Sequence, residues 1–215
     1  MTSFDERARD WDTDEKIARA TEVATAIRAA VAITPGSRAI EIGAGTGLLG
    51  LELAGELGEL VLTDTSTGML EVAQEKIDRR GLLHVRAVTF DLFKDPSPGA
   101  PFDLLLSLLV LHHLQDTEAT IRAAYELLVP GGHLALADLD LEDGTFHDAD
   151  AEGIHHHGFD RHRLVELAVA AGFDDVETRT ATEIERDGRR YPLFLLTARR
   201  PALREEMPPQ PRVIA

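Results

Sequence analysis

Short apolar runs alternate with segments of helical periodicity along most of the chain, and this alternation restricts the possible folds more than any other feature. Strands are predicted over residues 38–42, 60–63, 84–90, 102–109 and 133–137. The segment 102–109 is nearly all apolar, as expected for a strand that is buried on both faces. Strands that alternate with helices predict a parallel sheet covered by helices on both sides.

Capping and turn signals place the helices and the end of the sheet. We predict helices over 14–33, from the glycine-rich stretch through Leu57, over 66–81, over 116–130 and over 160–172. Two final strands, 176–184 and 191–198, are separated by the Asp-Gly turn signal in "ERDGRR", so we expect an antiparallel pair. The predicted fold class is α/β, a doubly wound, mostly parallel seven-stranded sheet with a C-terminal antiparallel hairpin.

Three glycines stand between the first strand and its helix, in the stretch "SRAIEIGAGTGLLGLELA". Gly43, Gly45 and Gly47 permit positive φ angles and let a ligand approach the backbone. A dinucleotide fingerprint requires glycine where Leu48 stands, so NAD is disfavoured. Asp64, which ends the second strand, suits hydrogen bonds from ribose hydroxyls. The pattern therefore favours a nucleoside ligand at the carboxyl edge of the sheet.

Composition restricts both the chemistry and the partners. The chain has 215 residues, no cysteine and a net charge of -16. The absence of cysteine excludes disulfides, thiolate metal sites and a cysteine nucleophile. Because a negative field repels polyphosphates, we expect no nucleic-acid partner. No apolar run is long enough for a membrane span and no signal peptide is evident, so we expect a cytoplasmic protein without a membrane partner.

Five motifs occur in a fixed order over about residues 37 to 140: "AIEIGAGTG", "LTDTSTGML", "VTFDLF", "FDLLLSLLVLHHL" and "LLVPGGHLALAD". In this order and spacing the chain resembles the class I S-adenosylmethionine-dependent methyltransferases, in particular the small-molecule branch called type 11 or type 12. The resemblance implies a Rossmann-like methyltransferase fold, S-adenosylmethionine as cofactor, and in-line methyl transfer to a small-molecule acceptor. It also implies that the N-terminal "FDERARDWD" is a segment that folds over the cofactor.

The resemblance assigns a set of cofactor-binding residues: Trp11, Glu41, Gly43, Ala44, Gly45, Gly47, Asp64, Thr65, Met69, Asp91, Leu92, Ser107 and Leu108. The glycines would lie under the methionine part, and Glu41 would hold its amino end through water or the loop backbone. Asp64 would bind the ribose and Asp91 the adenine amine, while Trp11 would form a lid. Structural alternatives remain open, since Trp11 also suits a helix interface and Asp91 also suits the start of a turn.

Histidines cluster at two places on the predicted ligand edge. His112 and His113 follow the fourth strand, and the run His155, His156 and His157 lies in the insertion between the fifth strand and the last helix, "DLDLEDGTFHDADAEGIHHHGFD". We expect residues 138–159 to cap the acceptor, because this connection is longer than usual. If the acceptor must lose a proton, His113 or His157 is the predicted catalytic base, and the sequence does not separate them.

A metal site in the insertion is a weaker alternative. His155 and His157, with Asp138, Glu142 and His147, carry suitable ligand atoms, but their spacing matches no ligand motif, so no metal ligand is assigned.

Two other functions compete with methyl transfer. A noncatalytic S-adenosylmethionine-binding regulatory module would contain the same cofactor motifs, whereas a nicotinamide-dependent oxidoreductase is disfavoured by the glycine spacing. We predict a helical lid over residues 1–34, a methyltransferase domain over 35–200 and a flexible tail over 201–215. The sequence makes no prediction of the oligomeric state.

Overall fold

The strands of the computed structural model, which describes residues 3–148, 151 and 153–203, form one seven-stranded sheet with the order β3-β2-β1-β4-β5-β7-β6. The strands are β1 Arg38–Ile42, β2 Glu59–Asp64, β3 Val85–Thr89, β4 Phe102–Leu108, β5 Leu128–Leu139, β6 Asp174–Arg186 and β7 Arg189–Arg199. Strands β1 to β5 pair in parallel, and β7 runs antiparallel to β5 and β6. The predicted fold class, including the antiparallel hairpin, is confirmed.

Several of the helices begin at side-chain caps that the sequence indicates. The helices are α1 Ser3–Arg7, α2 Asp14–Ala30, α3 Leu48–Leu53, α4 Thr67–Arg80, α5 Thr117–Leu127 and α6 Arg161–Ala170, with short 3-10 turns at Ala8–Asp10, Ala54–Glu56 and Leu111–His113. Ser66, Asp116 and Asp160 accept backbone N–H bonds at the starts of α4, α5 and α6. None of the helices in the described ranges is long and apolar enough to cross a membrane.

Each face of the sheet packs against its own group of helices. Side chains alternate along the strands, so Leu60 and Leu62 of β2 join the core beneath α2, α3 and α4, while Val61 joins the core beneath α5 and α6. The first core consists of aliphatic side chains, and the second contains five phenylalanines besides aliphatic side chains. Burial of this apolar surface is the main force that holds the layers together.

Several element boundaries differ from prediction, and two of the differences have a clear cause in the structure. Helix α2 ends at Ala30 instead of residue 33, because Val31 already has extended backbone angles, φ -126° and ψ 130°. Strand β5 begins at Leu128, inside the predicted helix, because Leu128 pairs with Phe102 of β4. The N–H of Gly131 donates to the carbonyl of Arg200, so "VPGG" lies within the irregular start of the strand.

The strand order places a crevice at the carboxyl ends of β1 and β4. From β1 the chain moves outward to β2 and β3, and it then returns to β4 on the other side of β1. Parallel sheets bind ligands where the strand order reverses in this way. The chain is also strained at this point, since Leu109, directly after β4, has a φ of 56°. The site is therefore expected at the segments that follow β1, β2 and β4.

Candidate functional site

A glycine turn connects β1 to α3, and its geometry requires glycine. Gly43, Gly45 and Gly47 have φ angles of +66°, +55° and +80°. A Cβ on Gly43 would lie 2.4 Å from Cγ2 of Val110, and a Cβ on Gly47 would lie 2.8 Å from Cδ1 of Leu62. The backbone therefore turns in close contact with the segment after β4, as glycines in this position predicted.

Asp64 connects the glycine turn to the start of α4. Its Oδ2 accepts the N–H of Gly45 and its Oδ1 accepts the N–H of Ser66, each at 2.8 Å. Burial raises the pKa of Asp64 above its usual value, although these N–H bonds oppose the shift. The carboxylate therefore organises both backbone segments at the end of β2.

Glu41 lies beneath the turn rather than on its surface. Its Oε2 accepts the N–H of Gly50 in α3 at 2.9 Å, and its side chain is buried. Burial raises the pKa of Glu41 to about 8, so the carboxyl group is mostly protonated at pH 7. Glu41 thus supports the turn from the core side.

The N-terminal segment, residues 3–13, covers the glycine turn. The carboxylate of Asp12 accepts from the Thr46 hydroxyl and pairs with Lys76. Asp5 accepts from the hydroxyl of Ser66 at 2.6 Å and from the N–H of Gly68 at 3.0 Å. These contacts hold the segment against the turn and the start of α4. Within the segment, the sequence analysis had assigned only Trp11 to the site.

Trp11 lies in this segment. A Cβ added to Gly45 would lie 4.0 Å from the indole Nε1 of Trp11 and 3.9 Å from the sulfur of Met69. The ammonium of Lys16 lies 3.4 Å from the centre of the indole ring. The indole packs edge-on against Phe4, which also contacts His113. The segment therefore bridges the glycine turn and the histidines after β4.

The other predicted cofactor residues differ in their contacts and in their exposure to solvent. Ser107 donates to the carbonyl of Ile42 at 3.0 Å, so it joins the ends of β4 and β1. Ala44 and Met69 are buried, Leu108 and Leu92 are half-buried and Thr65 is exposed.

Asp91 belongs to a local turn after β3. Its carboxylate accepts from the N–H of Phe93 at 3.0 Å and from Lys94 at 2.6 Å, and this lysine holds the pKa of Asp91 below its usual value. No described contact joins Asp91 to the glycine turn, so its adenine contact stays a prediction.

The two histidines predicted as bases have different surroundings. The ring of His113 is half-buried, its Nδ1 lies 2.9 Å from the carbonyl oxygen of Gly153, and burial lowers its pKa. The side chain of His157 is 61% exposed, with Nδ1 3.5 Å from Oε1 of Glu142. Only His113 contacts the segment that covers the turn, through Phe4.

A third histidine forms an interaction that the sequence did not reveal. Nδ1 of His112 lies 2.7 Å from Oδ1 of Asp138, and both side chains are almost completely buried. The doublet "HH" after β4 and the aspartate near the end of β5 were the available signals, because the ends of paired parallel strands lie side by side. Across residues 3–148, 151 and 153–203, no group of three or more His, Asp or Glu side chains is arranged to hold a metal ion.

Comparisons with known proteins agree with this geometry. A family model described as a methyltransferase domain matches residues 40–134. A ubiquinone/menaquinone biosynthesis C-methyltransferase, UbiE, from Shewanella sp. (strain ANA-3) is 27% identical over 179 residues, which covers 69% of this chain and 71% of that protein. The UbiE of Azotobacter vinelandii is 35% identical over 107 residues, covering 48% of this chain and 42% of that protein.

Two solved structures share the fold. A putative methyltransferase from Bacillus halodurans has a TM-score of 0.67 at 18% identity and covers 83% of this chain and 99% of its own. Phosphoethanolamine N-methyltransferase 2 of Haemonchus contortus, in complex with S-adenosyl-L-methionine, has a TM-score of 0.70 at 20% identity, with 94% of this chain and 60% of its own covered. The noncatalytic and oxidoreductase alternatives are set aside, because the family model and the relatives are methyltransferases. Residues 40–134 therefore match a methyltransferase domain, and the relatives and solved structures support a class I S-adenosylmethionine-dependent methyltransferase with S-adenosylmethionine as cofactor.

Proposed function

We propose that this methyltransferase transfers a methyl group from S-adenosylmethionine to a small-molecule acceptor, which binds between the turn after β4 and the insertion 138–159. The observation that carries the proposal is the meeting of the glycine turn, Asp64 and the post-β4 turn beside the crevice between β1 and β4. The names of the similar proteins, a C-methyltransferase and a phosphoethanolamine N-methyltransferase, support a small acceptor and leave the methylated atom open.

The residues around the glycine turn suit the cofactor. Each oxygen of Asp64 accepts one backbone N–H bond, and an ionised carboxylate has about four lone-pair positions, so both oxygens retain capacity for ribose hydroxyls. No side chain projects from Gly45 between Trp11 and Met69, which leaves a face of backbone open to a ligand. We assign cofactor contacts to Trp11, Gly43, Ala44, Gly45, Gly47, Asp64, Thr65, Met69, Asp91, Leu92, Ser107 and Leu108, and we propose that Glu41 acts on the cofactor through the loop backbone.

When bound, the cofactor supplies a methyl group already activated on a sulfonium. The protein therefore has to align the acceptor and exclude water, a contribution of several kcal/mol to the rate. Trp11 and Phe4 are placed to exclude water, because they cover the glycine turn and His113. His113 and His157 remain the bases predicted from the sequence for an acceptor that must lose a proton.

The proposed division of the chain follows the sequence prediction, with a lid over 1–34, a catalytic domain over 35–200 and a tail over 201–215. Within the lid, α2 buries Val23, Ala24 and Ile27 in the core that it shares with β2 and α4. We therefore give the covering role to residues 3–13. Residues 204–215 of the predicted tail lie outside the described part of the chain.

Calorimetry with S-adenosylhomocysteine tests the cofactor site, and release of S-adenosylhomocysteine from S-adenosylmethionine in an acceptor screen tests the activity. We expect micromolar binding and acceptor-dependent release. NADH serves as the control ligand. Binding of NADH without binding of S-adenosylhomocysteine would contradict the proposed function.

A further inference from the structure

We propose that His112, positioned by Asp138, is the base that removes a proton from the acceptor, so that the nucleophilic oxygen or nitrogen of the acceptor carries a proton before the reaction. This inference rests on the proposed function, because it assigns a role within the same site. It also distinguishes His112 from His113 and His157, the two candidate bases that the sequence did not separate.

Asp138 determines which nitrogen of His112 carries the proton. Its Oδ1 lies 2.7 Å from Nδ1 of His112 and accepts the N–H of Leu139 at 2.7 Å, while Oδ2 accepts the N–H of His112 at 3.3 Å. A carboxylate surrounded by N–H donors acts as an acceptor, so the imidazole donates from Nδ1. The lone pair of the neutral ring is then at Nε2, which is the arrangement of a general base held by an aspartate.

Nε2 of His112 is buried and has no hydrogen-bond partner among the described residues. The whole side chain is only 2% exposed. A buried acceptor that lacks a partner is costly, and such atoms in native structures commonly have a binding or catalytic role. An acceptor with an O–H or N–H group would supply the missing hydrogen bond. Nδ1 of His113 likewise has a partner, the carbonyl of Gly153, but its ring is only half-buried, and His157 is largely exposed.

His112 lies between the proposed cofactor site and the insertion. Val110, two positions earlier, packs directly on Gly43 of the glycine turn. The carbonyl of His112 accepts the N–H groups of His155 at 2.9 Å and His156 at 3.3 Å, so the insertion closes onto the same turn. An acceptor placed between these two elements would meet Nε2.

The titratable groups that face His112 are Asp138 from β5, His113 from the same turn and His147 from the insertion. The rings of His113 and His147 lie close to that of His112, with distances between ring centroids of 4.1 Å and 5.0 Å respectively. Burial lowers the pKa of His113 and lowers that of His147 to about 4. Both neighbours are therefore mainly neutral at pH 7, so neither places a positive charge beside the ring of His112.

In the proposed step the acceptor loses a proton and gains a methyl group. The O–H or N–H bond of the acceptor breaks and its proton passes to Nε2 of His112, while a lone pair of the oxygen or nitrogen forms the new bond to the methyl carbon. The electron pair of the breaking carbon–sulfur bond stays on sulfur. Asp138 stabilises the resulting imidazolium and transfers no proton itself.

Nitrogen-15 NMR of the histidine-labelled full chain tests the positioning without any turnover. We expect the His112 ring, assigned through its backbone, to carry a proton on Nδ1. Asp138→Asn should shift the ring toward the form protonated on Nε2, because an amide can donate to Nδ1. A wild-type ring protonated on Nε2 only, or an unchanged tautomer in Asp138→Asn, would overturn the role of Asp138.

Turnover tests the base. The acceptor panel contains hydroxylated benzoates, primary amines such as propylamine and phosphoethanolamine, and the nucleophiles trimethylamine and dimethyl sulfide, which have no proton on nitrogen or sulfur. We expect release of S-adenosylhomocysteine only with the hydroxyl acceptors or the primary amines. Turnover of the first group identifies oxygen as the methylated atom, and turnover of the second identifies nitrogen. Turnover of trimethylamine or dimethyl sulfide alone, or of no acceptor in the panel, would overturn the stated acceptor class.

With the best acceptor, His112→Gln and Asp138→Asn should reduce kcat by about 10²-fold or more and remove the rise of the rate with pH. Affinity for S-adenosylhomocysteine should stay within about threefold of wild type, which also shows that the variants fold. His162→Gln, an exposed histidine on α6, is the matched control. Wild-type turnover by His112→Gln, with a loss in His113→Gln or His157→Gln instead, would reject His112 while leaving the proposed function intact. Absence of cofactor binding by the wild type would reject the proposed function itself.

Discussion

The carboxyl group of Glu41 and the backbone of Gly50 are packed so closely that residue 50 has no room for a side chain. Oε2 of Glu41 accepts the N–H of Gly50 at 2.9 Å, and a Cβ added to Gly50 would lie 2.4 Å from that oxygen. The same Cβ would lie 2.5 Å from Cδ2 of Leu62 in β2. Helix α3 therefore approaches the sheet closely, and a buried carboxyl group connects the two beneath the glycine turn.

Gly50→Ala is expected to destabilise the protein by about 1–3 kcal/mol, because the new methyl group overpacks a buried contact. The measurement is urea unfolding followed by circular dichroism. Gly55→Ala is the matched control, since a Cβ at Gly55 has no atom within 4 Å, and it should change stability by no more than about 0.5 kcal/mol. Equal stability of the two variants would contradict the close contact.

Glu41→Gln is expected to change how stability depends on pH. The pKa of Glu41 is raised from 4.5 to about 8 in the folded protein, so between these values the folded state binds a proton that the unfolded state has lost. Stability contributed by this group therefore falls as pH rises, by about 1.4 kcal/mol per pH unit, and the loss is complete above the folded pKa.

Glutamine keeps an acceptor for Gly50 but does not titrate. The difference between wild type and Glu41→Gln in free energy of unfolding should shift in favour of the variant as pH rises from about 5 to 8. Denaturant unfolding at four pH values in this range measures it. Parallel pH profiles would show that Glu41 titrates normally.

Asp64→Ala is expected to weaken S-adenosylhomocysteine binding by about 1.5–3 kcal/mol, which corresponds to roughly 10- to 150-fold in Kd. The carboxylate would lose its contacts to the ligand and would no longer fix the N–H groups of Gly45 and Ser66. Calorimetry measures the change, with the exposed Glu71→Ala of α4 as control. An unchanged Kd would remove Asp64 from the cofactor site.

Asp12→Ala is expected to loosen the N-terminal segment. Its carboxylate contacts both Thr46 and Lys76, and these contacts are partly shielded from solvent. We expect stopped-flow measurements to show dissociation of S-adenosylhomocysteine accelerated by about three- to tenfold, the scale of about 1 kcal/mol for a net hydrogen bond. Asp10→Ala, at an exposed position, should leave the rate unchanged. If both variants release the ligand at the wild-type rate, residues 3–13 do not form a lid.

Gly158→Ala is expected to impair turnover while leaving the cofactor site intact. Gly158 has a φ of +72°, and a Cβ there would lie 1.9 Å from the carbonyl oxygen of Asp140, so the two ends of the insertion could no longer close. We expect kcat/KM to fall at least about tenfold, the effect of displacing groups that position the acceptor, with S-adenosylhomocysteine affinity within about threefold. Gly153→Ala has a similar φ of +75° and no atom within 4 Å of its Cβ, so it controls for backbone strain alone. Equal kcat/KM values would indicate that closure of the insertion has no role in turnover.

The layered α/β fold, the antiparallel hairpin, the glycine turn and the position of Asp64 at the end of β2 can all be predicted from the amino-acid sequence. These features depend on short-range rules, since side-chain periodicity, helix caps and glycine-rich turns act over a few residues. The caps at Ser66 and Asp116 were predictable for this reason. The irregular start of β5 was not, because pairing with β4 overrode the local helical pattern.

Which polar groups meet in the site depends on how the strands and loops pack together. Asp138 and His112 are 26 positions apart, and Asp12 and Thr46 are 34 apart, so neither contact follows from local spacing. The carboxyl ends of β4 and β5 bring the first pair together, and the fold of the N-terminal segment over the glycine turn brings the second. Burial then distinguishes His112 from His113 and His157, because the loss of water around a side chain depends on every element packed against it.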